Sequence, residues 1–148
     1  MGVHTGEVYD LDFLSVQGYV QVAISGAAEP FQTKHCRLQS LLQMAFMIGA
    51  TTRVSYVDGG SIGELESATV EILPAPTGTD YVTMLSFDVN TRQCLTNVSG
   101  KPPGLIVPDC QAQGILETAM RQGISVPYLD LDDQKKIIRV KVNTALRP

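Results

Sequence analysis

The sequence predicts an α+β fold made of two similar units in tandem, each an antiparallel sheet with one packed helix. Three observations predict it. Apolar residues alternate with period two in several short stretches, two segments at 36–48 and 110–122 have helical periodicity, and a Pro/Gly-rich segment at 74–79 separates the two sets.

Residues 7–13 alternate through Tyr9, Leu11 and Phe13, and Tyr19–Ile24 alternates through Val20, Val22 and Ile24. A period of two places each set on one buried strand face. Gln17-Gly18 between them reads as a hairpin turn. Gly26-Ala-Ala-Glu-Pro30 breaks the pattern, and residues 36–48 read as a helix stopped by Gly49. Residues 53–57 are β-branched and aromatic, Asp58-Gly59-Gly60 is a turn, and 67–72 alternates through Ala68, Val70 and Ile72.

Pro74-Ala-Pro-Thr-Gly78 continues neither a helix nor a central strand. The expected units are therefore 1–73 and 80–148, joined by 74–79. In the second unit, residues 81–89 form a strand and Gln93–Val98 pairs back on it. Gly100-Lys-Pro-Pro-Gly104 is a loop and Leu105–Val107 a short strand. Residues 110–122 form a helix with Gly123 at its stop. Tyr128–Leu131 and residues 137–142 make the last hairpin, turned at Asp132-Asp133-Gln134.

At a spacing of 74 residues, Cys36 meets Cys110, Gln39 meets Gln113, Leu42 meets Leu116, Ala45 meets Ala119 and Gly49 meets Gly123. With the same order of flanking elements, this predicts an internal duplication. A unit of such length buries little alone, so the copies are expected to pack together about a pseudo-two-fold axis.

Leu38, Leu41, Leu42, Ala45 and Ile48 share one face of the first helix; Ala112, Ile115, Leu116 and Ala119 share one face of the second. Both stripes should pack on the sheets. On the second helix the opposite face carries Glu117 and Arg121, an i,i+4 pair expected in solvent. On the first helix it carries Cys36, Ser40, Gln43, Met44 and Met47, with Phe46 at its edge. A helix apolar nearly all round is covered on two sides. These six residues are the candidate interface, either with another subunit or with the second half.

The net charge of −4 argues against general affinity for nucleic acid. The densest basic stretch, Lys135-Lys136 with Arg139 and Lys141, reads as a solvated hairpin. No apolar run reaches the ~18 residues of a membrane span. Without signal-peptide features, a cytoplasmic protein is expected. Trp is absent, so the core must rest on aliphatic residues and Met.

Cys36 and Cys110 open the two helices, where the macrodipole favours a thiolate, and they are the candidate reactive thiols. His35 precedes Cys36, whereas Asp109, which precedes Cys110, reads as an N-cap. His4 falls in a terminus expected to be loose. With only two histidines and no Cys/His ligand spacing, no metal or other cofactor is expected. Asp10 and Asp12 read as a wet strand face, and Asp130, Asp132 and Asp133 as an acidic turn. Gly59-Gly60-Ser61-Ile62-Gly63 lacks the strand–turn–helix setting of a phosphate loop and reads as a hairpin connection.

Gly6-Glu7-Val8 through Tyr19-Val20-Gln21-Val22, then Leu41-Leu42-x-x-Ala45-x-x-x-Gly49-x-x-x-Arg53-Val54, resembles the B subunits of AB5 bacterial toxins. That resemblance implies a small oligomer-binding (OB) barrel per unit, assembly into rings and a glycan ligand. It assigns no binding residue. The expected function is a non-catalytic binding or assembly protein that forms homo-oligomers. The alternatives are a small-molecule or glycan-binding module with a cleft between its halves, and an enzyme using Cys36 or Cys110.

Overall fold

A computed structural model describes residues 2–58, 62–143 and 145, and shows an α+β protein with a mostly antiparallel sheet and two helices. The elements are β1 (Gly2–Leu14), β2 (Tyr19–Ile24), β3 (Phe31–Thr33), α1 (Cys36–Ile48), β4 (Thr51–Asp58) and β5 (Gly63–Glu71). They are followed by β6 (Val82–Asp88), β7 (Gln93–Val98), β8 (Leu105–Val107), α2 (Cys110–Gln122), β9 (Tyr128–Leu131) and β10 (Ile137–Lys141). Both helices have the expected bounds. Each ends on a left-handed glycine, Gly49 at φ 66° and Gly123 at φ 65°, a backbone that residues with a Cβ avoid. Asp109 caps α2 by accepting the Ala112 N–H at 2.9 Å.

In the first half the strands close on themselves. β1 pairs with β2 through Val8–Leu14 and with β4 through Gly2–Glu7. β2 pairs with β3, β4 with β5, and β3 runs parallel to β5 through Phe31↔Gly63 and Gln32↔Glu64. The ring β1-β2-β3-β5-β4 is a five-stranded barrel, with α1 on the connection from β3 to β4. Closure leaves no free edge around the ring. The barrel required β3, which the sequence did not reveal because three residues are too few to show a period.

β1 differs from expectation in three ways. It starts at Gly2, so His4 sits in a strand opposite Val54 and is not in a loose terminus. A bulge between Val8 and Asp10 breaks the alternation. As a result Val8 is buried and Tyr9, expected inside, is 62% exposed; Phe13, also expected inside, is 66% exposed near the strand's end although it pairs with the buried Val20. Asp10 and Asp12 do lie on the wet face.

The second half repeats the order of elements. β6, β7 and β8 form an antiparallel run, α2 follows, and β9 and β10 form a hairpin. The turn expected at 58–60 falls partly on residues 59–61, outside the described residues; β4 and β5 pair as a hairpin across it. One further link repeats at the 74-residue spacing. Glu7 pairs with Thr51 in the barrel, and Tyr81 bridges Ser125 in the second half. Ile106 on β8 also makes a parallel bridge to Lys136, two residues short of where the Gln32↔Glu64 pair would fall at that spacing. The β9–β10 hairpin is a separate two-stranded sheet, and these isolated bridges tie the chain beside its strands to the rest.

The Pro-rich segment does not interrupt the sheet. β5 and β6 pair directly across it, from Ser67↔Asp88 to Glu71↔Met84, so eight strands form one continuous sheet. α1 lies against β1, β4 and β5 and also against α2 and β6. Leu38, Leu41, Leu42 and Ala45 are fully buried beneath it, as their spacing predicted. On α2 the buried set is Gln113, Leu116, Glu117, Ala119 and Met120, and Ile115 is exposed. The expected stripe is therefore rotated. The helix turns Gln113 and Glu117 toward α1, because α1 supplies partners for both.

Candidate functional site

Two features meet where α1 crosses onto the second half. The first is a buried polar network. Phe87 on β6 is opposite Cys94 on β7. The His35 ring stands 5.0 Å from the Phe87 ring, and the Arg37 guanidinium lies 4.4 Å over its face. Arg37 Nε donates to Gln113 Oε1 at 2.8 Å. Gln113 Nε2 donates to the Arg37 carbonyl at 3.2 Å and to Glu117 Oε2 at 2.9 Å. Ser40 Oγ donates to Glu117 Oε1.

A carboxamide thus stands between a guanidinium and a buried carboxylate. Its orientation follows from its neighbours, since Arg37 needs an acceptor and Glu117 needs a donor. Both Glu117 oxygens are satisfied, and Gln113 and Glu117 are 2% and 5% exposed. One hydrogen bond to each Glu117 oxygen, from Ser40 on α1 and Gln113 on α2, ties the two helices together. His35 Nδ1 and Arg37 Nη2 are buried without a hydrogen-bond partner among the described residues. Burial, then Arg37 and Arg92, hold the His35 imidazole below its usual pKa, so it is neutral at pH 7.

The second feature is a cleft of about 450 Å³ on the second half. It lies over the β6–β7 turn and the paired ends of β7 and β8 beside Lys136, and its lining includes Arg92, Gln93, Cys94, Ile106 and Lys136. Cys94 forms its inner wall. Burial pushes that thiol up to about 12, against the opposing pull of the nearby Arg37 cation. Other clefts lie on the barrel. One is lined by Tyr9, Asp10, Asp12 and Glu29; a second contains the ring cluster His4, Phe31 and Tyr56. His4 Nε2 is hydrogen-bonded to the Ser25 carbonyl oxygen at 2.8 Å.

The six candidate interface residues divide. Ser40 and Met44 are covered within the chain, Ser40 by Glu117 on α2. Cys36, Gln43, Phe46 and Met47 face solvent. The i,i+4 pair expected in solvent is split: Glu117 is buried, and Arg121 donates to Thr118 Oγ1 at 3.3 Å. Cys36 and Cys110 are exposed at the helix starts. Beside them, His35 is stacked on Phe87 and Asp109 is engaged in capping. Among the described residues no group of three or more His, Cys, Asp or Glu could hold a metal ion. No described helix is long and apolar enough to cross a membrane. Asp132 Oδ1 accepts the Gln134 and Lys136 N–H groups, so the acidic turn is internally hydrogen-bonded and its carboxyl is held below the usual range.

Arg37, Arg92 and Gln113 were not singled out by sequence reasoning. A cation within an otherwise apolar helix was the one available signal for Arg37. No protein-family model matches the chain, and neither does any curated protein or solved structure.

The thiols give a direct check on these environments. At pH 8, an aromatic disulfide reagent is expected to titrate two thiols of the native protein, Cys36 and Cys110. Cys94 should react only after denaturation, because its thiolate is disfavoured and its sulfur is enclosed. Three fast-reacting thiols in the native protein would contradict the buried wall.

Proposed function

We propose that this protein is a non-catalytic binding and assembly module of two OB-like units, descended by duplication and built to self-associate. The closed ring β1-β2-β3-β5-β4, with a helix between β3 and β4, supports the OB-like reading of the first unit. The matching element order, the glycine stops and the Tyr81↔Ser125 bridge, which falls 74 residues after Glu7↔Thr51, support the duplication.

One observation carries the assembly reading. Phe46 and Met47 stand 46% and 65% exposed on a helix whose other faces are buried, and Leu73 is 60% exposed. Ile48 and Leu73 line one cleft with Met120, between the C-terminal ends of the helices. Exposed apolar side chains, Phe46 and Met47 adjacent on α1 and Leu73 beside Ile48 in this cleft, favour association with a matching surface. A second copy supplies one by two-fold symmetry.

Light scattering on the eluting protein tests it. The wild type is expected to run as a dimer or larger ring, and Met47→Glu combined with Leu73→Glu as a monomer with unchanged circular dichroism. A wild-type protein that stays monomeric at high micromolar concentration would refute self-association.

A further inference from the structure

We infer that the cleft lined by the β6–β7 turn, the end of β8 and Lys136 binds a small ligand through a phosphate-like oxyanion held by Arg92 and Lys136. Among the described residues no acidic side chain lines it, although the protein as a whole carries a net charge of −4. Three carboxylates near its lining residues in the chain accept hydrogen bonds from backbone donors. Asp88 accepts the Asn90 and Thr91 N–H groups, Asp109 that of Ala112, and Asp132 those of Gln134 and Lys136. Arg92 and Lys136 are exposed cations on the cleft's lining, and Arg37 lies near Cys94 behind it. Asp132 offsets part of the Lys136 charge, so one anion is gripped by Arg92 and Lys136 together, through charge-assisted hydrogen bonds.

The first half serves as an internal comparison. The β6–β7 turn holds Arg92 at φ 57°, and 74 residues earlier Gly18 holds φ 71° in the β1–β2 turn. Glycine adopts that backbone freely, and arginine does so at a cost. The turn therefore places a long cationic side chain where the first half has none. At the same spacing Ile62 stands where the second half has Lys136. Lys135 also holds a left-handed backbone, at φ 64°, and ties the neighbouring loop by donating from Nζ to the Pro103 carbonyl at 2.9 Å.

The seam differs in the same way. In the barrel, β3 and β5 close through two paired positions. In the second half the nearest counterpart is the Ile106↔Lys136 bridge, with Ile106 N–H donating to the Lys135 carbonyl at 2.8 Å. The cleft lies at this looser seam, so the opening and the cations coincide. Its volume of about 450 Å³ exceeds what a bare ion fills and suits a phosphorylated metabolite.

Isothermal titration of the full chain at low ionic strength, with inorganic phosphate and with glucose 6-phosphate, tests this. Saturable one-site binding is expected. Arg92→Asn, which keeps a residue tolerant of left-handed backbone, and Lys136→Gln should each weaken it about tenfold or more. Arg139→Gln, a charge outside the cleft, should leave it unchanged. Tighter binding of glucose 6-phosphate would identify a phosphoester as the ligand, and equal binding would identify the free anion. No saturable binding of either probe, or an equal loss in all three variants, would overturn the proposal.

Discussion

Gln113→Ala is expected to destabilise the folded protein by about 3–4 kcal/mol, measured as urea unfolding at 25 °C. The side chain is buried and serves both partners of a charged arrangement. Its loss removes the acceptor for Arg37 Nε and the donor to Glu117 Oε2, and leaves the Arg37 carbonyl without its side-chain donor. A buried unsatisfied group costs ~1–3 kcal/mol, and stripping one side of a buried charged pair ~3–5 kcal/mol. The cavity adds to this. Gln43→Ala, on the exposed face of α1, should fall within ~0.5 kcal/mol of wild type. If Gln113→Ala cost less than ~1 kcal/mol, the network would contribute little to joining the halves.

Gly6→Ala is expected to be comparably severe, at about 2–4 kcal/mol, and Gly6→Val to prevent folding at 37 °C. Gly6 sits where β1 leaves β2 and takes β4 as its partner. A Cβ there would stand 2.3 Å from the Ser25 carbonyl oxygen and 2.9 Å from Ile24 Cγ2. The carbonyl is backbone and cannot swing aside. It is held by Ser25 N–H donating to the Glu7 carbonyl at 2.9 Å, while Glu7 N–H donates to Ser25 Oγ at 2.9 Å. Overpacking at so fixed a point costs ~1–3 kcal/mol or more. For a chain of this length each kcal/mol lowers Tm by roughly 2–4 °C, so a drop near 10 °C is expected for Gly6→Ala. Gly114→Ala should act in the opposite direction. It lies within α2 with nothing near the added carbon, and alanine favours helix by ~0.5–1 kcal/mol. A harmless Gly6→Ala would mean that β1 does not make the tight crossing that closes the barrel.

Local patterns alone settled much of this protein. The bounds of both helices, their glycine stops, the Asp109 cap and the buried stripe of α1 follow from spacing and backbone preference, which act within a few residues. The β2 core face of Val20, Val22 and Ile24 follows from alternation. What the sequence did not disclose depends on residues far apart in the chain. Three-residue β3 becomes a strand because β2 and β5 flank it and satisfy its backbone. The bulge at Val8 to Asp10 turns Tyr9 outward because β1 must serve two partners. The burial of Gln113 and Glu117 was decided by α1, whose Arg37 and Ser40 arrive from more than 70 residues away to bond them. The cationic cleft arises the same way, from two turns that meet only when β8 approaches Lys136. Periodicity records which side of an element is apolar, but a polar side chain is buried only where the fold brings it a partner.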